Sequence, residues 1–342
     1  MKAIKTQYYL MPIAICLLAI AGLVYYYFLS DFTRERETVY YVYIDGDDTV
    51  DSVYAKLQPA AAERSLTGFK YLTRYGKYPE HVRTGRYAIK PDMNIYEVFR
   101  NLKNGRQEPM MLTIPESRTM EKLAAQLDRK LMLDSATIAA TLIDSAYCAH
   151  MGYDTATIAC MFVPDTYELY WNINIDQLME RMQKENKHFW NQERMKKADA
   201  LGLTPNEVCT LASIIDEETA NNAEKPMIAG MYLNRLKAGM PLQADPTVKF
   251  AMKRFELRRI YHDMLFFDSP YNTYRNTGLP PGPIKIASVK GIDAVLDYVH
   301  HDYVYMCAKE DFSGTHNFAI NYAEHLRNAA RYAKALNERG IK

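Results

Sequence analysis

The sequence is short of the patterns that announce most enzyme chemistries. Its five cysteines, Cys16, Cys148, Cys160, Cys209 and Cys307, include no CxxC pair and no spacing with histidine that suits zinc. No metal site, no cofactor and no particular disulfide is therefore expected. There is no HExxH, and His262-Asp263 and His300-His301 have no ligand partners at recognised spacing, which disfavours a metalloprotease. The absence of GxSxG disfavours a serine hydrolase built on a nucleophile elbow. An excess of either charge is lacking as well: 42 Lys+Arg against 41 Asp+Glu leave +1, so no global field collects nucleic acid by counterion release. No internal repeat or low-complexity tract interrupts the chain.

What remains is ordinary globular usage, 48% hydrophobic and 24% charged, in a length of 342 residues that suits two domains or three small ones. Tyrosine is plentiful at 27, useful both in cores and against sugar faces. From Tyr8 to Leu29 no residue is charged, and a helix of that length reaches roughly 33 Å, enough for a hydrocarbon core of about 30 Å. Tyr8, Tyr9 and Tyr25 to Tyr27 sit where aromatic belts meet headgroups, with Lys2 and Lys5 before the span and Arg34 and Arg36 after it. The expectation is a single-pass anchor with its N-terminus in the cytoplasm. A cleaved signal peptide ending at Ala19-Ile20-Ala21 competes, but the apolar run continues through Phe28.

The expected class is α+β. Residues 1–37 are read as cytoplasmic tip, transmembrane helix (about 8–29) and linker. Residues 38–110 read as a small α+β module, with a strand at Val39–Ile44 and helices near Val50–Leu57 and Ile95–Leu102, the latter stopped by Gly105. Residues 111–203 read as a helical linking region, because Met120, Leu123, Ala124 and Leu127 recur at helical spacing. Residues 204–342 combine one strong helix with loops rich in Pro, Gly, Asn and Thr, where sites usually sit.

Thr204-Pro205-Asn206-Glu207 is a capping box with proline in the first turn, so the register of the helix that follows can be argued. At about 100° per residue Val208, Leu211, Ala212, Ile214 and Ile215 share a side, and Glu218 lies within roughly 50° of it. Asp216 and Glu217 fall roughly 110° and 150° away and are expected in solvent. A carboxyl among apolar neighbours is pushed toward its neutral form and can donate a proton near neutral pH. The bland alternative is a structural Glu218 that caps the helix or pairs with an arginine such as Arg235.

Several ordered segments carry a resemblance. Leu211-Ala212-Ser213-Ile214-Ile215-Asp216-Glu217-Glu218-Thr219, Asn234-Arg235-Leu236, Leu242-Gln243-Ala244-Asp245-Pro246-Thr247, Tyr271-Asn272-Thr273-Tyr274 and Gly278-Leu279-Pro280-Pro281-Gly282 resemble the YceG-like (MltG) endolytic murein transglycosylases. So do Phe162-Val163-Pro164-Asp165-Thr166-Tyr167 and Gly314-Thr315-His316-Asn317-Phe318, and residues 38–110 resemble the family's LysM-like domain. The chain departs from the pattern at Asp216, usually Glu, and at Glu217, often Lys.

The resemblance implies a fold with an N-terminal transmembrane helix, a LysM-like module and a mixed helical, loop-rich catalytic domain outside the cytoplasmic membrane. It implies cleavage of MurNAc–GlcNAc bonds in peptidoglycan glycan strands to 1,6-anhydroMurNAc ends, limiting nascent strands, near peptidoglycan synthases. Glu218 is the implied acid/base. Tyr271 and Tyr274 are expected to stack on sugar rings and Gln243, Asn272 and Asn317 to bond amide and hydroxyl groups, with Ser213, Asp245 and Thr247 completing the substrate-binding set. Two alternatives stay open: a muramidase-type hydrolase with Asp245 as second carboxylate, or a non-catalytic peptidoglycan-binding scaffold.

Overall fold

The computed structural model describes residues 2–34, 37–257 and 259–340, with side chains from Met11 onward. Arg36 and the side chains of Lys2, Lys5, Tyr8 and Tyr9 lie outside the described residues. About half the chain is helical and its sheets are small, a mixed α+β architecture. One N-terminal helix, Lys2–Val24, runs into a π-helical turn at Tyr25–Leu29. Within it Met11–Leu29, mean hydropathy 2.1, is long and apolar enough to cross a membrane.

The chain divides into two compact units. The first comprises Met1–Leu112, Lys130–Met132 and Glu168–Ile173. Tyr40–Ile44 pairs antiparallel with Gly85–Ile89, and alternation along the first strand turns Val42 and Ile44 into the core. Helices Val50–Leu57 and Ile95–Asn104 start at capping boxes on Thr49 and Asn94, and Gly105 ends the second in the left-handed conformation at φ 68°. A third helix, Glu63–Tyr75, was not anticipated. It packs Phe69 inward beside the partly buried Leu66 and Leu72, a spacing of three that amphipathic helices use. Residues 30–34, read as linker, are bonded into this unit: Phe32 is fully buried, its N–H donates to the Met93 carbonyl and its carbonyl accepts from Ala62.

The second unit comprises Thr113–Arg129, Leu133–Tyr167 and Asn174–Lys342, and so takes in most of the expected linking region. Its axis is the helix Pro205–Glu218, capped by Thr204 and Glu207 as the capping box requires. Around it lie Lys225–Lys237, Asp245–Ala251 and Val289–Leu296. A hairpin of Tyr305–Ala308 and His316–Ala319 and a last helix, Tyr322–Glu338, complete it. All eight residues from Val208 to Ile215 are buried, so the central helix is enclosed and not one-faced.

That enclosure corrects the expectation that Asp216 faces solvent. Its side chain is only 1% exposed and forms an ion pair with Lys225 at 2.7 Å. It also accepts from the Ser288 N–H at 2.7 Å and the Ser288 hydroxyl at 2.8 Å. Gly291 makes this possible, since a Cβ there would stand 2.6 Å from an Asp216 oxygen. Glu217, 17% exposed, is likewise engaged, with Arg118 at 2.8 Å and Lys285 at 3.7 Å. The helical wheel locates an apolar stripe, but it cannot foresee that two other helices bring a lysine and a capping serine to the polar side.

Candidate active site

Glu218 occupies the last turn of the central helix, where the chain leaves helical geometry at Thr219. The Tyr232 hydroxyl, from the neighbouring helix, donates to its Oε1 at 2.8 Å. Among the described residues Glu218 has no ion pair. Burial pushes its carboxyl up to about 7, with the Asp245 and Glu217 charges adding to the rise and the Tyr232 bond and Lys249 opposing it. A group divided between acid and base near neutral pH can give a proton and take one back.

The arginine alternative is not what forms. Arg235 is buried and spends its guanidinium on the carbonyls of Val304, Pro241 and Leu242 and on Gln243 Oε1. It thereby fixes the loop before Asp245. Gln243 sits there exposed, at a left-handed φ of 53°.

Asp245, exposed in the first turn of its helix, accepts the Tyr274 hydroxyl at 2.6 Å. Burial and this bond raise the Tyr274 phenol, so it remains a donor. Asp245 does not cap the turn through its side chain; Ala244 holds the N-cap position. Glu218, Tyr232, Asp245 and Tyr274 thus form one electrostatic group, each sensed by another.

Three residues expected as substrate contacts are scaffold in this structure. Ser213, Thr247 and Asn272 are fully buried. The Ser213 hydroxyl donates to the Thr210 carbonyl and accepts from the Ile284 N–H. Thr247 meets Thr273 at 2.9 Å and donates to the Ala244 carbonyl. Asn272 donates to the carbonyls of Leu265 and Phe267 and accepts from the Tyr274 N–H, which presents that tyrosine. They shape the loops, because a saturated group without exposure has nothing left for a ligand. Tyr271 packs on Phe250 with ring centroids 4.8 Å apart and lines a separate cleft. Asn317 donates to Glu310 inside the late hairpin, away from these bonds.

Sequence reasoning missed Tyr232, although the signal existed: a tyrosine between Met231 and Leu233 on a helix with Ile228 and Ala229 must bring its hydroxyl to a buried acceptor. It also missed Glu224, which accepts from the His316 N–H at 2.7 Å and the Thr219 hydroxyl at 3.4 Å, tying the hairpin to the end of the central helix.

Residues 42–331 match the sequence profile of the YceG-like family. The chain belongs to the YceG-like family. Among its relatives, the endolytic murein transglycosylase of Bacillus subtilis (strain 168) is 27% identical over 91% of this chain and 89% of its own. That of Streptococcus pneumoniae serotype 2 is 26% identical over 84% of this chain and 57% of its own. A crystal structure of a yceG-like protein from Listeria monocytogenes superposes with a TM-score of 0.55 at 25% identity, covering 85% of this chain and 99% of that one. The YceG-like assignment thus spans both units.

Proposed function

We propose that the protein is a membrane-anchored endolytic murein transglycosylase with Glu218 as its acid/base. The observation that carries the reading is a buried carboxyl raised to about 7, bonded by the Tyr232 phenol and without an ion pair among the described residues. The names of the B. subtilis and S. pneumoniae relatives support the substrate class.

In the proposed reaction Glu218 protonates the oxygen between MurNAc and GlcNAc as that bond breaks. The resulting carboxylate takes the proton of the muramoyl 6-hydroxyl, whose oxygen bonds to the anomeric carbon. The product is a 1,6-anhydro end, and Glu218 is protonated again. The substrate supplies the nucleophile that a second carboxylate would otherwise assist. Because Tyr232 occupies Oε1, the other oxygen is the one free to carry the proton toward the sugar. Tyr274 and Gln243 are the proposed hydroxyl and amide contacts of the strand.

The helix through Met11–Leu29 supports a single-pass anchor with the rest of the chain outside the cytoplasmic membrane, and residues 38–110 are read as a LysM-like placement module. Peptidoglycan synthases at the membrane are the proposed partners.

The test is mass analysis of products from isolated glycan strands. Ends lighter by one water than reducing ends, and none from Glu218→Gln, are expected. Reducing ends would favour the hydrolase, and sacculus binding without cleavage would favour the scaffold.

A further inference from the structure

Beside the acid lies a cleft that the proposed glycan chemistry does not use. It has a volume of 190 Å³ and is walled by the rings of Phe250, Phe255 and Tyr271 with Arg118, Lys253 and Lys285 at its polar edge. A smaller hollow shares Arg118, Phe250 and Phe255 with it and adds Glu217 and Lys249, which brings the groove to the residue before Glu218. Lys249 is near enough for Glu218 to feel its charge.

Four cations line the two hollows against two carboxylates, Glu121 and Glu217. Arg118 and Lys285 are held in place, Arg118 by Glu217 and Lys285 by Glu116 at 2.9 Å. Lys249 and Lys253 form no ion pair among the described residues; Lys249 lies in the helix Asp245–Ala251 and Lys253 just past its end, both at the groove's edge. The groove is thus apolar along its wall, positive at its rim, and reaches as far as Glu217, the residue before the proposed acid. Uncharged sugar rings have no use for such a rim.

We propose that this cleft is a subsite for the acidic peptide stem carried by the muramic acid at the scissile bond. The inference rests on the transglycosylase reading. A stem carries both small methyl groups and free carboxylates and branches from the ring whose anomeric carbon reacts, so it must leave the reaction centre along an adjoining groove. The methyls fit the aromatic wall, and the carboxylates meet the lysines and the arginine. The enzyme then selects strands that still carry stems over strands trimmed to the lactyl carboxylate.

Two measurements on the full chain in detergent decide it. The first is fluorescence anisotropy of a labelled muramoyl peptide with free stem carboxylates. Lys253→Glu, at an exposed site with no ion pair among the described residues, should weaken binding by about fivefold, with a shallower dependence on salt. The second compares stem-bearing, uncross-linked strands with amidase-stripped ones. Wild type should show the lower KM on stem-bearing strands, and Lys253→Glu should raise that KM while leaving kcat and the stripped-strand rate unchanged. Equal binding by wild type and Lys253→Glu overturns the proposal, as does displacement by vesicles of anionic lipid with no response to the peptide. Failure to cleave either strand counts against the transglycosylase reading, and the binding measurement still decides the subsite.

Discussion

The Tyr232 hydroxyl donates to Glu218 across 2.8 Å, from a helix that the sequence motifs mark only at Asn234-Arg235-Leu236. The bond favours the ionised carboxylate, whereas burial, the larger effect, favours the neutral acid. Tyr232→Phe removes the smaller, opposing effect, so the Glu218 pKa should move above about 7. The alkaline limb of kcat/KM against pH then shifts upward, and kcat falls by about tenfold because the acid loses its fixed orientation. An unmoved limb with unchanged kcat would mean that the bond plays no part in setting the acid.

Glu218→Gln should remove strand cleavage and stabilise the fold in alkali. A carboxyl whose folded pKa exceeds its unfolded value binds its proton more tightly in the folded state. Its contribution is full below the unfolded value near 4.5 and is lost as pH rises toward the folded value of about 7. Above pH 7 the wild type therefore bears an ionised, desolvated group that the amide spares it, a difference on the order of 1–3 kcal/mol. Thermal midpoints of wild type and Glu218→Gln should coincide near pH 4 and separate by several degrees at pH 8, with the variant higher. A constant difference at both pH values would contradict the raised pKa.

The capping box at Thr204 made the register of the central helix legible, and with it the position of Glu218. The first core strand and the stop at Gly105 were legible for the same reason: local patterns fix local geometry. What escaped were meetings between distant segments. Asp216 on Lys225 and Ser288, Glu224 on His316, and Tyr232 on Glu218 each depend on which helix or hairpin packs against which. Polar motif residues such as Ser213, Thr247 and Asn272 look alike in sequence whether they hold a loop or a ligand, and only their burial separates the two.

Asp216→Asn is accordingly expected to be costly. Lys225, with 7% side-chain exposure, would lose its only ion-pair partner among the described residues. Breaking one side of a buried pair typically costs about 3–5 kcal/mol, because the other charge stays desolvated. Glu217→Gln, whose partner Arg118 is 44% exposed and whose other cation, Lys285, stands at 3.7 Å and keeps its pair with Glu116, should cost less, about 1 kcal/mol. Urea unfolding of the two variants side by side measures the contrast, and equal midpoints would refute it.

Asp245 gives the sharpest distinction between one carboxylate and two. Its charge raises the Glu218 pKa, and its oxygen takes the Tyr274 hydroxyl at 2.6 Å, a bond that an asparagine oxygen can still accept. If Glu218 works alone, Asp245→Asn lowers the Glu218 pKa below about 7. The alkaline limb then moves to lower pH, opposite to Tyr232→Phe, and the rate at the optimum falls by less than about tenfold. The products remain 1,6-anhydro ends. A two-carboxylate hydrolase predicts otherwise: removal of a base or nucleophile should cost at least about 10²–10⁴ in kcat at every pH, and the wild type should leave reducing ends. Opposite displacements of the limb in two variants that flank one acid are hard to obtain from general damage to the fold, which would lower the profile without moving it.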